Sequence, residues 1–272
     1  MKLTPEQFDR AAELEAHQGR LQKLQRMNYR ELQLLLSGDP AEAAVWVHSA
    51  AEYGVPAAQV RLGRMLLEGN GVERDEPAAL TWFTRAAVRG DADAMNMAGR
   101  CYENGWGVEV DLVKAAAWYR SSGEAGHDWG EYNFGNMLFD GRGVARDVVM
   151  ALQWYLRAAN KGHGRAMNLV ARCLEEGWGC AKSPAEAADW YRRSAEAGYF
   201  RAQFNYAVVL AEQGNPAAAA DWYWEAAWSG DDAIRQTILR KLAEARAPEL
   251  MALRDRLAES SRARGPRPEQ CN

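Results

Sequence analysis

The chain has 272 residues, 26% of them charged and 48% hydrophobic, a formal net charge of -4 and eleven tryptophans, a composition of the soluble globular class. Its 37 acidic and 33 basic residues are interspersed, which argues against binding a nucleic-acid backbone by counterion release. No apolar run approaches the roughly 18 to 20 residues of a spanning helix, and the start, MKLTPEQFDRAAELEAH, lacks the basic and apolar parts of a secretory signal, so a cytoplasmic location without membrane insertion is expected.

The predicted elements begin within residues 1–39. Thr4-Pro5-Glu6-Gln7 opens a helix through about Glu15, and residues 20–36 read as a second, the first helix of a shortened repeat. From 40 to 230 the chain repeats itself. LTWFTRAAVRG at 80–90 returns as AAWYRSSGEAG at 116–126, LQWYLRAANKG at 152–162 and ADWYRRSAEAG at 188–198, so Trp82, Trp118, Trp154 and Trp190 recur every 36 residues. Trp46 keeps that step backwards, and Trp222 follows after 32.

Ahead of each tryptophan lies a glycine loop: LEGNGVERD ending at Asp75, ENGWGVEVD at Asp111, FDGRGVARD at Asp147 and EEGWGCAKS at Ser183. Before the loops, small and apolar residues return at helical spacing. Each repeat therefore reads as helix, glycine loop, helix. Asp39-Pro40-Ala41-Glu42 and Ser183-Pro184-Ala185-Glu186 offer an N-cap, a proline and a capping-box glutamate. Gly54, Gly90, Gly126, Gly162, Gly198 and Gly230 are the predicted left-handed stops of the second helices. A single helical pair cannot bury its own apolar face, so repeats must stack into an all-α solenoid. The periodic tryptophans and the aromatic after each (Phe83, Tyr119, Tyr155, Tyr191, Tyr223) are expected to fill the interfaces. Residues 231–246 and 249–261 read as C-terminal capping helices, and 262–272 as a disordered tail.

These residues resemble the Sel-1-like repeat family, α-helical relatives of the tetratricopeptide repeats, through the 36-residue step, the G-x-G-V loop and the Trp-Tyr pair. The resemblance implies a right-handed superhelix serving as a protein-binding scaffold or adaptor, with a regulatory, secretion-associated or toxin-neutralising (immunity) role in bacteria. It also implies two alternatives: a β-lactam-binding or hydrolysing enzyme, as for some cysteine-rich relatives, and a structural homo-oligomer. The loops around Gly38 and Gly214 are four residues short, which marks both ends as caps.

Little in the chain points to catalysis. Cys101 and Cys173 share one repeat position, where other repeats have Met65, Met137 and Val209, so they read as buried thiols. Cys180 takes the valine of the loop, and a Cys173–Cys180 bridge is what the resemblance to disulfide-bearing secreted relatives implies as an alternative. Cys271, on the tail, has no partner. His127 and His163 read as helix-start residues rather than a zinc pair. No nucleotide, metalloprotease or serine-hydrolase motif occurs, and no cofactor is expected.

The expected partner is another protein or peptide, bound by a monomer on the concave side. There the first helices present Asn96, Arg100 and Glu103, then Trp129, Tyr132, Asn136 and Phe139, then Asn168, Arg172 and Glu175. Aromatics flanked by charged donors have the composition of an interface hot spot. The competing reading turns those aromatics inward. Trp106 and Trp178, between loop glycines, either cover the next loop or extend the groove.

Overall fold

The computed structural model describes residues 16, 18–20, 22, 23, 26, 27, 30 and 35–264. The helix predicted at 4–15, most of the one at 20–36, and Cys271 lie outside the described residues. Among those described, the regular structure is α-helical: α1 (Pro40–Glu52), α2 (Pro56–Glu68), α3 (Glu76–Ala87), α4 (Ala92–Asn104), α5 (Leu112–Glu124), α6 (Asp128–Asp140), α7 (Val148–Asn160), α8 (Gly164–Glu176), α9 (Pro184–Glu196), α10 (Phe200–Glu212), α11 (Pro216–Ser229), α12 (Asp232–Leu242) and α13 (Pro248–Arg264). The last helix runs three residues into the stretch predicted as tail.

Helix starts follow from single side chains. The carboxylates of Asp75, Asp111 and Asp147 accept from the backbone N–H of Ala78, Lys114 and Met150, and the Asn215 side chain accepts from Ala218, satisfying donors that a helix leaves open. Two signals act differently from expectation. Ser183 caps no backbone group; its Oγ donates instead to Glu186 Oε1 at 2.7 Å. Gly230 is extended (φ -90, ψ 179), not left-handed. A Cβ there would stand 2.2 Å from Ile234 Cγ2 and 2.7 Å from the Ala226 carbonyl oxygen, so space, not backbone angle, requires that glycine.

The chain divides into two compact units, one within Met1–Arg146 (α1–α6) and one within Asp147–Asn272 (α7–α13). In each unit every helix packs on its predecessor, and first helices of successive repeats also touch, α4 with α6 and α8 with α10. This is the nearest-neighbour stacking of an α-solenoid. The aromatic after each periodic tryptophan is the deepest side chain: Phe83, Tyr119, Tyr155, Tyr191 and Tyr223 are 0–2% exposed. Trp82 and Trp154 are buried, whereas Trp46, Trp118, Trp190 and Trp222 are half-buried.

A glycine in the preceding first helix makes room for two of these rings, Phe83 and Tyr119. A Cβ on Gly63 would stand 2.5 Å from the Phe83 ring, and one on Gly99 2.7 Å from Tyr119. The second loop glycine has a further role. A Cβ on Gly107 would lie 2.3 Å from the carbonyl carbon of Glu76, and on Gly143 2.1 Å from the Leu112 carbonyl oxygen. The loop thus lies directly on the second helix of the preceding repeat. Buried serines reinforce the stack, with Ser122 Oγ donating to the Ala92 carbonyl and Ser194 Oγ to that of Gly164, each at 2.6 Å.

Candidate protein-binding face

In the first unit the face in question is built by α2, α4 and α6. Side chains at matching repeat positions tie these helices together. Arg64 Nη2 donates to both oxygens of Asp93 at 2.8 and 2.7 Å. Asn133 Nδ2 donates to Asn96 Oδ1 at 2.8 Å, and Arg142 Nη1 to Glu103 Oε1 at 2.8 Å. Glu103 Oε2 also accepts from the Tyr119 hydroxyl at 2.5 Å. The second unit repeats the scheme: Asn205 Nδ2 donates to Asn168 Oδ1 at 2.9 Å, and the Tyr191 hydroxyl to Glu175 Oε2 at 2.7 Å.

These bonds sort the predicted site residues. Asn96 and Asn168 are each 5% exposed, so the expectation that they meet a partner gives way to a role as amide ladders between first helices. Glu103 and Glu175 are engaged from within by the tyrosines. Arg100 and Arg172 remain exposed, each laid over the indole of a loop tryptophan: Arg100 is 5.0 Å from the Trp106 ring centre and Arg172 is 5.1 Å from that of Trp178. Trp106 is half-buried against the core formed by Val60, Phe83 and Met97; it therefore both covers its neighbours and offers a platform.

On α6 the aromatics do not all turn inward. Trp129 is 40% exposed and stands edge-on to Tyr132, ring centres 5.9 Å apart at 88°. Tyr132, Asn136 and Phe139 are half-buried. Arg146 lies over the Phe139 ring at 6.0 Å and donates through Nε to the Phe139 carbonyl at 3.0 Å. Sequence reasoning missed the guanidinium partners of the tryptophans. Their signal was present as an arginine three residues after Trp82, Trp154 and Trp190, now seen as Arg85, Arg157 and Arg193 at 4.5, 4.1 and 3.9 Å from the rings.

Cys101 and Cys173 are buried packing residues. Burial pushes the Cys101 and Cys173 thiols up to about 12 from an ordinary 9.0, and Cys180 is a free thiol whose Sγ is directed at the Cys173 carbonyl at 3.5 Å. Burial, followed by donation to Glu103 and Glu175, likewise holds the Tyr119 and Tyr191 hydroxyls far above their ordinary value. All four groups are raised in the fold, so their contribution is complete below the unfolded-state values. It is lost as the unfolded chain ionises, from about pH 9 for the thiols and pH 10 for the phenols. Urea unfolding at stepped pH is therefore expected to show stability falling from pH 9 upward, and a Cys101→Val, Cys173→Val, Tyr119→Phe, Tyr191→Phe variant is expected to flatten that fall. A wild-type profile level through pH 11 would contradict this.

Among the described residues, no group of three or more His, Cys, Asp or Glu side chains could hold a metal ion, and no helix is long and apolar enough to cross a membrane.

Comparison with known proteins places this architecture. The model of the Sel1 repeat matches four times, at residues 56–91, 92–127, 130–163 and 164–199. Among solved structures, the chain is similar to a Sel1 repeat protein from Oxalobacter formigenes, with 27% identity and a TM-score of 0.76 over 87% of this chain and 99% of that one. It is also similar to a protective antigen of uropathogenic Escherichia coli, with 29% identity and a TM-score of 0.71 over 94% of this chain, which spans only 56% of that protein. An immunity protein of Pseudomonas aeruginosa shares the fold at 20% identity, with a TM-score of 0.53 over 76% of this chain and 80% of that one. No curated protein sequence matches the chain. With four consecutive repeats matched over more than half of its length, the chain belongs to the Sel1 repeat family.

Proposed function

We propose that this chain is a non-enzymatic scaffold that binds another protein or peptide on the face built by its first helices, with Trp129 and Tyr132 as the apolar anchor of the first unit. Sel1 repeats generally mediate protein–protein interaction, and the observation that carries the reading to this face is Trp129. An indole left 40% exposed at a helix start, held against a second ring rather than free to fold away, is the kind of residue that dominates interface energetics. The exposed guanidinium of Arg100, at the position facing Trp129 from α4, gives it a polar neighbour of the kind such anchors have. Cytoplasmic adaptor and toxin-neutralising protein are the two finer forms of this reading; both use the same face, and the identity of the captured partner decides between them.

The test is quantitative affinity capture from the native cell. Trp129→Ala is expected to reduce recovery of the principal partner at least about tenfold, the scale of an interface hot spot, with little change in melting temperature. Trp228→Ala, which removes a 59% exposed indole on α11, serves as the control and is expected to leave recovery unchanged. Undiminished recovery by Trp129→Ala would refute the site.

A further inference from the structure

Arg64, Arg100 and Arg172 occupy one repeat position, and the structure shows what a guanidinium at that position does when a carboxylate is within reach. Arg64 takes Asp93 from the next first helix by a two-bonded contact at 2.8 and 2.7 Å. The position that supplies Asp93 is filled by Trp129 in the repeat facing Arg100 and by Arg201 in the repeat facing Arg172. Neither guanidinium has an ion-pair partner among the described residues. The acids three residues on along their own helices, Glu103 and Glu175, are turned to Tyr119 and Tyr191, and Glu176, four residues after Arg172, forms no ion pair with it among the described residues.

Both side chains are nevertheless held in place. Each lies on a loop indole, at 5.0 and 5.1 Å, which fixes the plane of the fork and lowers the entropy lost when it binds. Arg100 has one further contact, Nη1 to Met97 Sδ at 3.7 Å, leaving its other N–H groups available. The surrounding charges are neutralised in pairs, Arg64 by Asp93 and Arg142 by Glu103. In a chain of net charge -4, Arg100 is thus a local positive surplus set on a defined platform. Arg172 reproduces the same indole-backed, unneutralised guanidinium in the second unit.

We infer that Arg100 in the first unit and Arg172 in the second are each a carboxylate-binding position, so that the partner surface meeting either unit is acidic. The inference rests on the proposed protein-binding role and names the chemistry of the partner. Each arginine takes from the partner the carboxylate that Asp93 supplies to Arg64, where Nη2 alone donates to both oxygens. The carboxylates are those of Asp or Glu side chains in that acidic surface.

The test uses fluorescence anisotropy of the full chain with a short fluorescein-labelled peptide of Asp, Glu and Ala, its Asn/Gln counterpart, and both peptides with an amidated C-terminus. Wild type is expected to bind the acidic peptide and not its neutral counterpart. Arg100→Gln should abolish the site of the first unit and Arg172→Gln that of the second, and the double glutamine variant should weaken binding at least about tenfold, the scale of a charge-assisted hydrogen bond. Lysine at either position should recover only part of it, because the fork is lost while the charge stays. Binding that survives amidation supports side-chain carboxylates as the ligand, and binding that requires the free terminus would overturn it. No binding of the acidic peptide by folded wild type, equal binding of the neutral peptide, or unchanged affinity in the double glutamine variant with unaltered melting would overturn the inference. Loss of partner capture by Trp129→Ala together with full capture by the double glutamine variant would sink this inference alone and leave the binding face standing.

Discussion

Replacing Tyr119 with alanine is expected to cost about 3–5 kcal/mol, the range for truncating a large core aromatic, and to cost more than replacing Trp118. The two residues are neighbours on α5 but stand in different surroundings. Tyr119 is 1% exposed, its ring fills the space that Gly99 leaves open on α4, and its hydroxyl donates to Glu103 at 2.5 Å. Trp118 is half-buried at the edge of the cluster that contains Phe83 and Met97. Truncation of Tyr119 therefore opens a cavity between α4 and α5 and takes a hydrogen bond from a carboxylate, a loss of about 1.5–3 kcal/mol for a charged acceptor that Tyr119→Phe isolates. Chemical denaturation of Tyr119→Ala, Tyr119→Phe and Trp118→Ala measures all three. A Trp118→Ala loss equal to or larger than that of Tyr119→Ala would contradict the ranking.

The second large effect is expected at Gly107. Gly107→Ala should cost about 3 kcal/mol or more, combining a left-handed backbone penalty of about 1–2 kcal/mol with displacement of a neighbouring main chain. Its φ is 70, and the added Cβ would stand 2.3 Å from the Glu76 carbonyl carbon and 2.4 Å from the Pro77 nitrogen. Both are backbone atoms at the start of α3, which cannot swing aside as a flexible side chain can. The Gly107 N–H also donates to Glu76 Oε2 at 3.1 Å, a bond that the displacement would break. Gly90→Ala is the internal control: φ is 91 and nothing lies within 4 Å of its added Cβ, so it carries the backbone penalty alone. Equal melting shifts for the two variants would show that the loop does not bear on the preceding repeat.

The fold is legible in the repeat itself. A period of 36, a glycine loop and an N-cap aspartate recur in the letters themselves, and each acts through local geometry. What the letters did not show was which of two adjacent aromatics lies deeper. That depends on Gly63 and Gly99, which lie about twenty residues earlier in sequence and face the rings only once α2 packs on α3 and α4 on α5. The candidate face was legible in part for the same reason. Asn96 and Arg100 lie one turn apart on α4 and read alike as outward donors, but Asn133 approaches from α6 and takes Asn96 into the interior. Arg100 forms no ion pair among the described residues, and the position matching Asp93 is Trp129. Ser183 shows the limit of motif reading: the capping-box letters are present, yet the hydroxyl turns to Glu186.

The central claim is that a partner is held by the first helices and not by the second. Hydrogen–deuterium exchange of the full chain, alone and with its captured partner, tests this most directly. Protection is predicted in α4 and α6 around Arg100 and Trp129, with the exposed starts of α3 and α5 unchanged. Protection confined to α3 and α5, with α4 and α6 exchanging as in the free chain, would contradict it.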